Sequence, residues 1–269
     1  MNKTLILGAI AVILYIAAGW TQAQRLTAQM TRDRTRINPV MLGLIAAAFH
    51  AIVLYQIFFT PEGINFGFFN VISLLSWMIA LFLIIASYAN PIENIGIAIF
   101  PLAALAIVLN AIFPSEHFLH EQDVTILEAH ILISIIAYSF LSIAAVQAIL
   151  LSIQDKHLHN KHPGGFIRAL PPLQTMESLM FQMIGIGFIL QSFSLISGFI
   201  FLDDMFAQHL VHKTILSILA WIIFAVLLWG RWRFGWRGKV AIRWTLGGFS
   251  SLLLAYLGSK MVLEIVLGR

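Results

Sequence analysis

The chain has 269 residues, of which 60% are hydrophobic and only 10% charged, and its mean hydropathy is +0.91. Soluble domains carry about a quarter charged residues, so this composition excludes a soluble globular protein. It leaves a polytopic membrane protein, expected to form a single transmembrane domain over residues 1–269, with no long polar stretch for a separate catalytic domain. The formal charge of +4 and pI near 9.6 would suit a nucleic-acid binder, but the cations lie almost wholly in short loops between apolar runs. The basic excess therefore reads as bilayer orientation.

A helix needs about 20 apolar residues to cross roughly 30 Å of hydrocarbon. Eight segments qualify, residues 4–22, 39–59, 67–88, 94–113, 129–153, 176–201, 212–230 and 244–267, which predicts an all-α fold of eight transmembrane helices. Lys3 precedes the first segment and TQAQ follows it, a pattern a signal peptide can share, and it is expected to be retained as a helix. In the second, His50 lies about ten residues in, which at 1.5 Å per residue puts it near the bilayer midplane. An imidazole there can bind a metal, relay a proton or lock a neighbouring helix. Pro101 in the fourth segment is expected to kink it. Asn110, Tyr138, Gln147, Gln182 and Gln191 read as interhelical hydrogen-bonding residues, and Gly185, Gly187 and Gly198 as points of close helix approach.

Orientation follows from the Lys and Arg residues. Twelve of them fall in the loops after segments one, five and seven: Arg25, Arg32, Arg34 and Arg36, then Lys156, Lys161 and Arg168, then Arg231, Arg233, Arg237, Lys239 and Arg243. The opposite side has Lys3, Lys213, Lys260 and Arg269, all at or inside helix ends. The excess of cations in cytoplasmic loops then puts both termini on the outer, periplasmic side of a bacterial inner membrane. The inner loop RWRFGWRGKVAIRW interleaves Trp232, Trp236 and Trp244 with cations, as expected for an interfacial segment on an anionic leaflet.

The outer loops are acidic and carry His117, His120 and His209, which read as a solvated polar rim. His130 and His212 open the fifth and seventh segments and are expected at the outer face, where two neutral imidazoles can ligate a transition metal or haem iron. Asp203 and Asp204 can cap the seventh helix or attract a cation. At that same helix start, a charged His212 beside Lys213 would oppose the helix dipole, which favours a neutral His212 or a nearby anion such as a propionate. The chain has no cysteine, which excludes disulfides, thiolate metal sites and thiol redox chemistry of its own. No internal repeat is visible, and no acid, base and nucleophile set suggesting a hydrolase.

Four stretches carry a family resemblance: AHILISIIAYSFLSIAAVQAILLSIQ, MIGIGFILQSFSLISGFIF, AWIIFAVLLWGR and GWRGKVAIRWTLGGFSSLLLAYLGSK. With them the chain resembles the CcsA-like cytochrome c assembly family of haem-handling membrane proteins, and within it the YpjD-like inner-membrane branch. The resemblance implies movement or presentation of haem at the outer face, with one histidine pair inside the membrane and a second flanking a tryptophan-rich external loop. His50 matches the early transmembrane histidine and His130 the first external one. Trp229 stands where the later transmembrane histidine would be, no histidine follows Trp244, and the external loop LDDMFAQHLVHK has no tryptophan. His212, where the family has Asp-Pro-Lys, is a substitute external partner that the family does not itself imply.

The expected cofactor is haem, held by His130 and His212 as axial ligands of its iron, with His50 as a further candidate. The expected role is non-catalytic. An alternative is an accessory or regulatory subunit of a membrane transporter or ion exporter that kept the scaffold after losing the ligand set. A third reading is a proton-coupled or metal-ion transporter using His50 with Glu264 or the external acids. Expected partners are haem, an apocytochrome or another membrane subunit, and the lipid bilayer.

Overall fold

The computed structural model describes residues 3–31, 38–61, 63–89, 92–114, 118–119, 124–160, 170–201 and 211–258. Its helices are α1 (Lys3–Thr31), α2 (Pro39–Phe58), α3 (Phe68–Ala89), α4 (Gly96–Ile112), α5 (Val124–His159), α6 (Leu173–Phe201), α7 (Val211–Phe234) and α8 (Gly238–Leu253). Seven of them, α1 to α7, contain stretches long and apolar enough to cross a membrane. Exposed apolar side chains such as Ile13, Phe193 and Ile200 cover their outward faces, the arrangement expected where the surrounding solvent is lipid. The expected eighth span, 244–267, runs partly outside the described residues; what is described there is α8 followed by a π-turn over Leu254–Gly258.

Helix ends differ from the apolar segments in a consistent way. α5 continues to His159, past the expected 153, and α8 starts at Gly238, ahead of the expected 244. Hydropathy marks where hydrocarbon ends, whereas Asp155, Lys156 and Arg243 extend helices beyond that boundary as well as apolar residues do.

The chain divides into two compact units. In the first, α1 packs on α2 and α4, and α3 packs on α2 and α4, a closed ring of four helices. Phe100 of α4 fills the space beside Gly43 of α2, where a Cβ would sit 2.6 Å from its ring. Pro101 lies inside α4, and its ring rests on Gly19 of α1. The connector after α2 forms a small antiparallel sheet, β1 (Phe59–Thr60), β2 (Gly63–Asn65) and β3 (Phe118–Leu119), in that order. These strands are too short for any period-two signal in the sequence. Beside them a buried amide chain closes this end of the unit: Asn110 Nδ2 donates to Asn70 Oδ1 at 2.9 Å, and Asn70 Nδ2 donates to the Asn65 carbonyl at 3.3 Å.

In the second unit, α5 packs on α6 and α8, and α7 packs on α6 and α8, again a closed ring. Gly187 of α6 lets Leu141 of α5 approach to where a Cβ would be 2.6 Å from Leu141 Cγ. Tyr138 donates to the Leu252 carbonyl at 2.6 Å, tying α5 to α8 just before the π-turn. There the change to a wider turn displaces backbone donors from the preceding carbonyls. Gln191 Nε2 donates to the Ser217 carbonyl and so joins α6 to α7.

At the other end, Glu177 of α6 accepts from Arg231 Nη1 at 2.9 Å, Arg237 Nε at 3.0 Å and the Gly238 amide at 2.8 Å. This carboxylate therefore fixes both the end of α7 and the start of α8. The turn between them passes through Gly235 and Gly238 at φ +65 and +54, values that glycine adopts without steric cost. Two of the polar residues expected to join helices do not. Gln182 is exposed, and Gln147, fully buried, has no hydrogen-bond partner for either amide atom among the described residues.

Candidate functional site

His130 lies in the second turn of α5 and is half-buried against α6. Ser134 follows one helical turn later, so both residues share a face; Ser194 and Ser197 present a matching pair on α6. His130 Nδ1 is 2.8 Å from Ser197 Oγ. Ser197 Oγ donates to the Ser194 carbonyl at 2.9 Å. Ser134 Oγ donates to the His130 carbonyl at 2.7 Å and lies 2.6 Å from Ser194 Oγ.

Two tautomers of the imidazole satisfy these distances. With the single Ser197 proton on the Ser194 carbonyl, the same oxygen accepts from Nδ1, and in that arrangement Nε2 is the nitrogen without a proton. A ligating histidine in metalloproteins is typically fixed in this way, by an outer hydrogen bond from its second nitrogen.

His212 occupies the second position of α7 and is exposed. The contact Gln191 to Ser217, the stacking of Phe188 on Trp221 and the ion pair Glu177 to Arg231 set the register of α6 against α7. Continued toward the start of α7, this register places His212 at about the level of Ser197. His130 and His212 therefore occupy one end of the second unit, on α5 and α7, the helices that flank α6. No hydrogen bond joins the two histidines among the described residues.

His50 belongs to the first unit and is fully buried at the centre of its helix ring. Its Nε2 is 2.9 Å from Ser73 Oγ of α3, and its Nδ1 is 3.5 Å from the Tyr15 hydroxyl of α1. Tyr15 meets His50 edge-on and stacks on Phe100 of α4. His50 thus joins α2 to α1 and α3, with α4 reached through Tyr15, and both its nitrogens face a hydroxyl. Trp229 is 54% exposed on α7 and packs edge-on against Phe234 at 5.2 Å. Trp229, expected to stand in place of a transmembrane histidine, therefore points outward. His117, His120, His209, Asp203, Asp204 and Glu264 lie outside the described residues.

Sequence reasoning passed over Ser134, Ser194 and Ser197. Their signal is a serine one turn after His130 and two serines three apart on the facing helix, a pattern that also occurs wherever serine hydroxyls bond back to their own helix carbonyls. Haem can be tested against what is present. His130 is half-buried with one ring nitrogen against Ser197, whereas His50 is fully buried with a hydroxyl at each nitrogen.

The profile of the family described as cytochrome c assembly protein matches residues 38–267. The chain is 32% identical over 230 residues to the inner membrane protein YpjD of Escherichia coli (strain K12), covering 84% of this chain and 87% of that protein. It is 21% identical to the protein HemX of Brevibacillus brevis, over 84% of this chain and 86% of that one. With the cytochrome c biogenesis protein CcsA of Chlamydomonas reinhardtii it shares 28% over 50% of this chain and 38% of that protein. No solved structure matches it. Seven apolar helices and these relatives identify a multi-pass inner-membrane protein, and the chain belongs to the cytochrome c assembly protein family.

Proposed function

We propose that the chain handles haem as cargo, without catalysing a reaction of its own, at the membrane face that carries the starts of α5 and α7. The distribution of Lys and Arg supports a periplasmic location for that face. His130 and His212, both at this end of the second unit, are the residues that would hold the haem iron through their imidazole nitrogens. Haem iron accepts imidazole nitrogens at its axial positions; the task of this chain's residues is to orient them. The observation that carries the reading is the contact of His130 Nδ1 with Ser197 Oγ at 2.8 Å, an outer partner of the kind that holds a ligating imidazole with its other nitrogen toward the metal. An apocytochrome or another membrane subunit is the partner to which such a site would present haem.

The test is a haem titration of the purified chain followed by Soret absorbance. The parent is expected to develop a Soret band, His130→Ala to lose it, and His212→Ala to shift it. A parent spectrum unchanged by His130→Ala would refute the assignment.

A second reading rests on the first unit. His50 is engaged by hydroxyls on both sides and Trp229 faces outward, and with Trp229 read as the replacement of a family histidine this favours an accessory subunit of a transporter or ion exporter on a scaffold without an intramembrane haem. That reading expects co-purification of a larger membrane protein and no Soret band on haem addition.

A further inference from the structure

The opposite end of the second unit holds a cavity of about 300 Å³ between the end of α5 and the start of α8. This is at the lower end of the volumes that accommodate small molecules. Ser152, Asp155, Lys156 and His159 reach it from α5, and Lys239 and Arg243 from α8. On each helix these residues are three or four apart and so share a face. Among the described residues, Lys156, Lys239 and Arg243 make no ion pair, and neither does Asp155 beside them. Three cations thus converge on one concavity against a single carboxylate, and a concave site lined by one sign of charge concentrates the field inside it.

A second observation concerns α8 itself. A helix start carries partial positive charge and favours acids in its first turn, yet α8 has none there and places Lys239 and Arg243 in its first two turns. Glu177 of α6 satisfies the Gly238 amide, but it is already shared between Arg231 and Arg237. Lys239 and Arg243 therefore add to the positive end of the helix, while the nearest carboxylate at that end, Glu177, is shared with two arginines.

The cavity also lies where the apolar part of α5 ends, and Trp244 adjoins Arg243 in the sequence. Tryptophan and a change from apolar to charged residues mark the headgroup level of a bilayer. We propose that this cavity binds a phosphate-bearing anion, held by Lys156 from α5 and by Lys239 and Arg243 from α8. The proposal is independent of the haem reading, which concerns the other end of the unit. A phospholipid headgroup and a free phosphate offer the same chemistry, and the experiment separates them.

The full chain, purified in an uncharged detergent, is melted with added phosphatidylglycerol, phosphatidylcholine, sodium phosphate, or sodium chloride of equal ionic strength. Phosphatidylglycerol is expected to raise the melting temperature and phosphatidylcholine to leave it unchanged. Each basic residue near an anionic headgroup contributes roughly fivefold in affinity, so the K239Q/R243Q variant should bind roughly 25-fold more weakly. Arg233→Gln, on the exposed end of α7 outside the cavity, should respond like the parent. If sodium phosphate reproduces the shift with the same dependence on the variants, the ligand is free phosphate and the site stands. The proposal is overturned if neither phosphate source shifts the melt, or if Arg233→Gln weakens the response as much as K239Q/R243Q. Should the double variant fail to fold, Lys156→Gln on α5 replaces it, and an undiminished response there overturns the proposal equally.

Discussion

Ser197→Ala removes the hydroxyl 2.8 Å from His130 Nδ1. The Nδ1 proton then loses its fixed acceptor, and the ring can turn or take the other tautomer, in which Nε2 carries the proton and cannot bind iron. Loss of such an outer hydrogen bond typically weakens a histidine-bound metal by about ten- to a hundredfold, which is about 1.4–2.7 kcal/mol at 1.36 kcal/mol per decade. The assay is the haem titration with four proteins: the parent, Ser197→Ala, Ser197→Thr and His130→Ala. Threonine keeps the hydroxyl and should stay within about threefold of the parent, an effect well below the loss expected for alanine. The half-buried setting of Ser197 leaves room to read a chemical effect apart from a packing one. If Ser197→Ala binds as the parent does while His130→Ala does not bind, the tautomer argument is wrong although the ligand is right. If His130→Ala also binds as the parent does, both fall.

Glu177→Gln keeps the shape but removes the charge shared by Arg231 and Arg237. Hydrogen bonds to charged groups contribute about 1.5–3 kcal/mol each, discounted for Arg237, whose side chain is 54% exposed. The expected loss is about 2–4 kcal/mol in detergent melts, and a change below about 0.5 kcal/mol would show that the α7–α8 turn holds without its carboxylate. Asn110→Leu should destabilise by about 1–3 kcal/mol because Asn70 Oδ1 loses its buried donor, whereas Gln147→Leu should be neutral or stabilising because no partner is lost; equal losses in the two would contradict this pairing argument. Gly187→Val drives a Cβ into Leu141 and toward the Ala137 carbonyl, and should cost about 1–3 kcal/mol by the same melt; a melt matching the parent would mean that α5 and α6 separate freely there.

Much of this fold was legible because membrane helices announce themselves by length and composition alone. Residues 39–59 were expected and α2 spans Pro39–Phe58; the spans expected for α3, α4 and α6 agree to within a few residues, α1, α5 and α7 run past their apolar stretches, and the eighth, 244–267, lies partly outside the described residues. The role of Asn110 was also legible, since a polar amide in hydrocarbon needs a partner. Gln147 obeyed the same rule on paper and not in the structure, because whether a facing helix offers a donor depends on register, which single-sequence patterns do not fix. The same limit hid the serine set around His130. Each serine is unremarkable alone, and only the pairing of α5 with α6 turns them into one hydrogen-bonded group. The cluster around Glu177 was missed for a related reason: its two arginines lie 54 and 60 residues away along the chain.

The two units share the same ring of helix neighbours but differ in what their polar groups are left to do. In the first, His50, Asn70 and Asn110 hydrogen-bond across helices, and Gln22 Oε1 is the one buried side-chain atom without a partner among its described residues. Such a core is closed, because every coordinating nitrogen in it already faces a hydroxyl. In the second, groups without a partner among the described residues lie along the bundle: both amide atoms of buried Gln147, and at one end Lys156, Lys239 and Arg243, which make no ion pair there. A protein that only needed to span the membrane would gain stability by pairing or replacing these groups. In the first unit His50 instead ties α2 to α1 and α3 through two hydroxyls, a packing role that leaves neither of its nitrogens open.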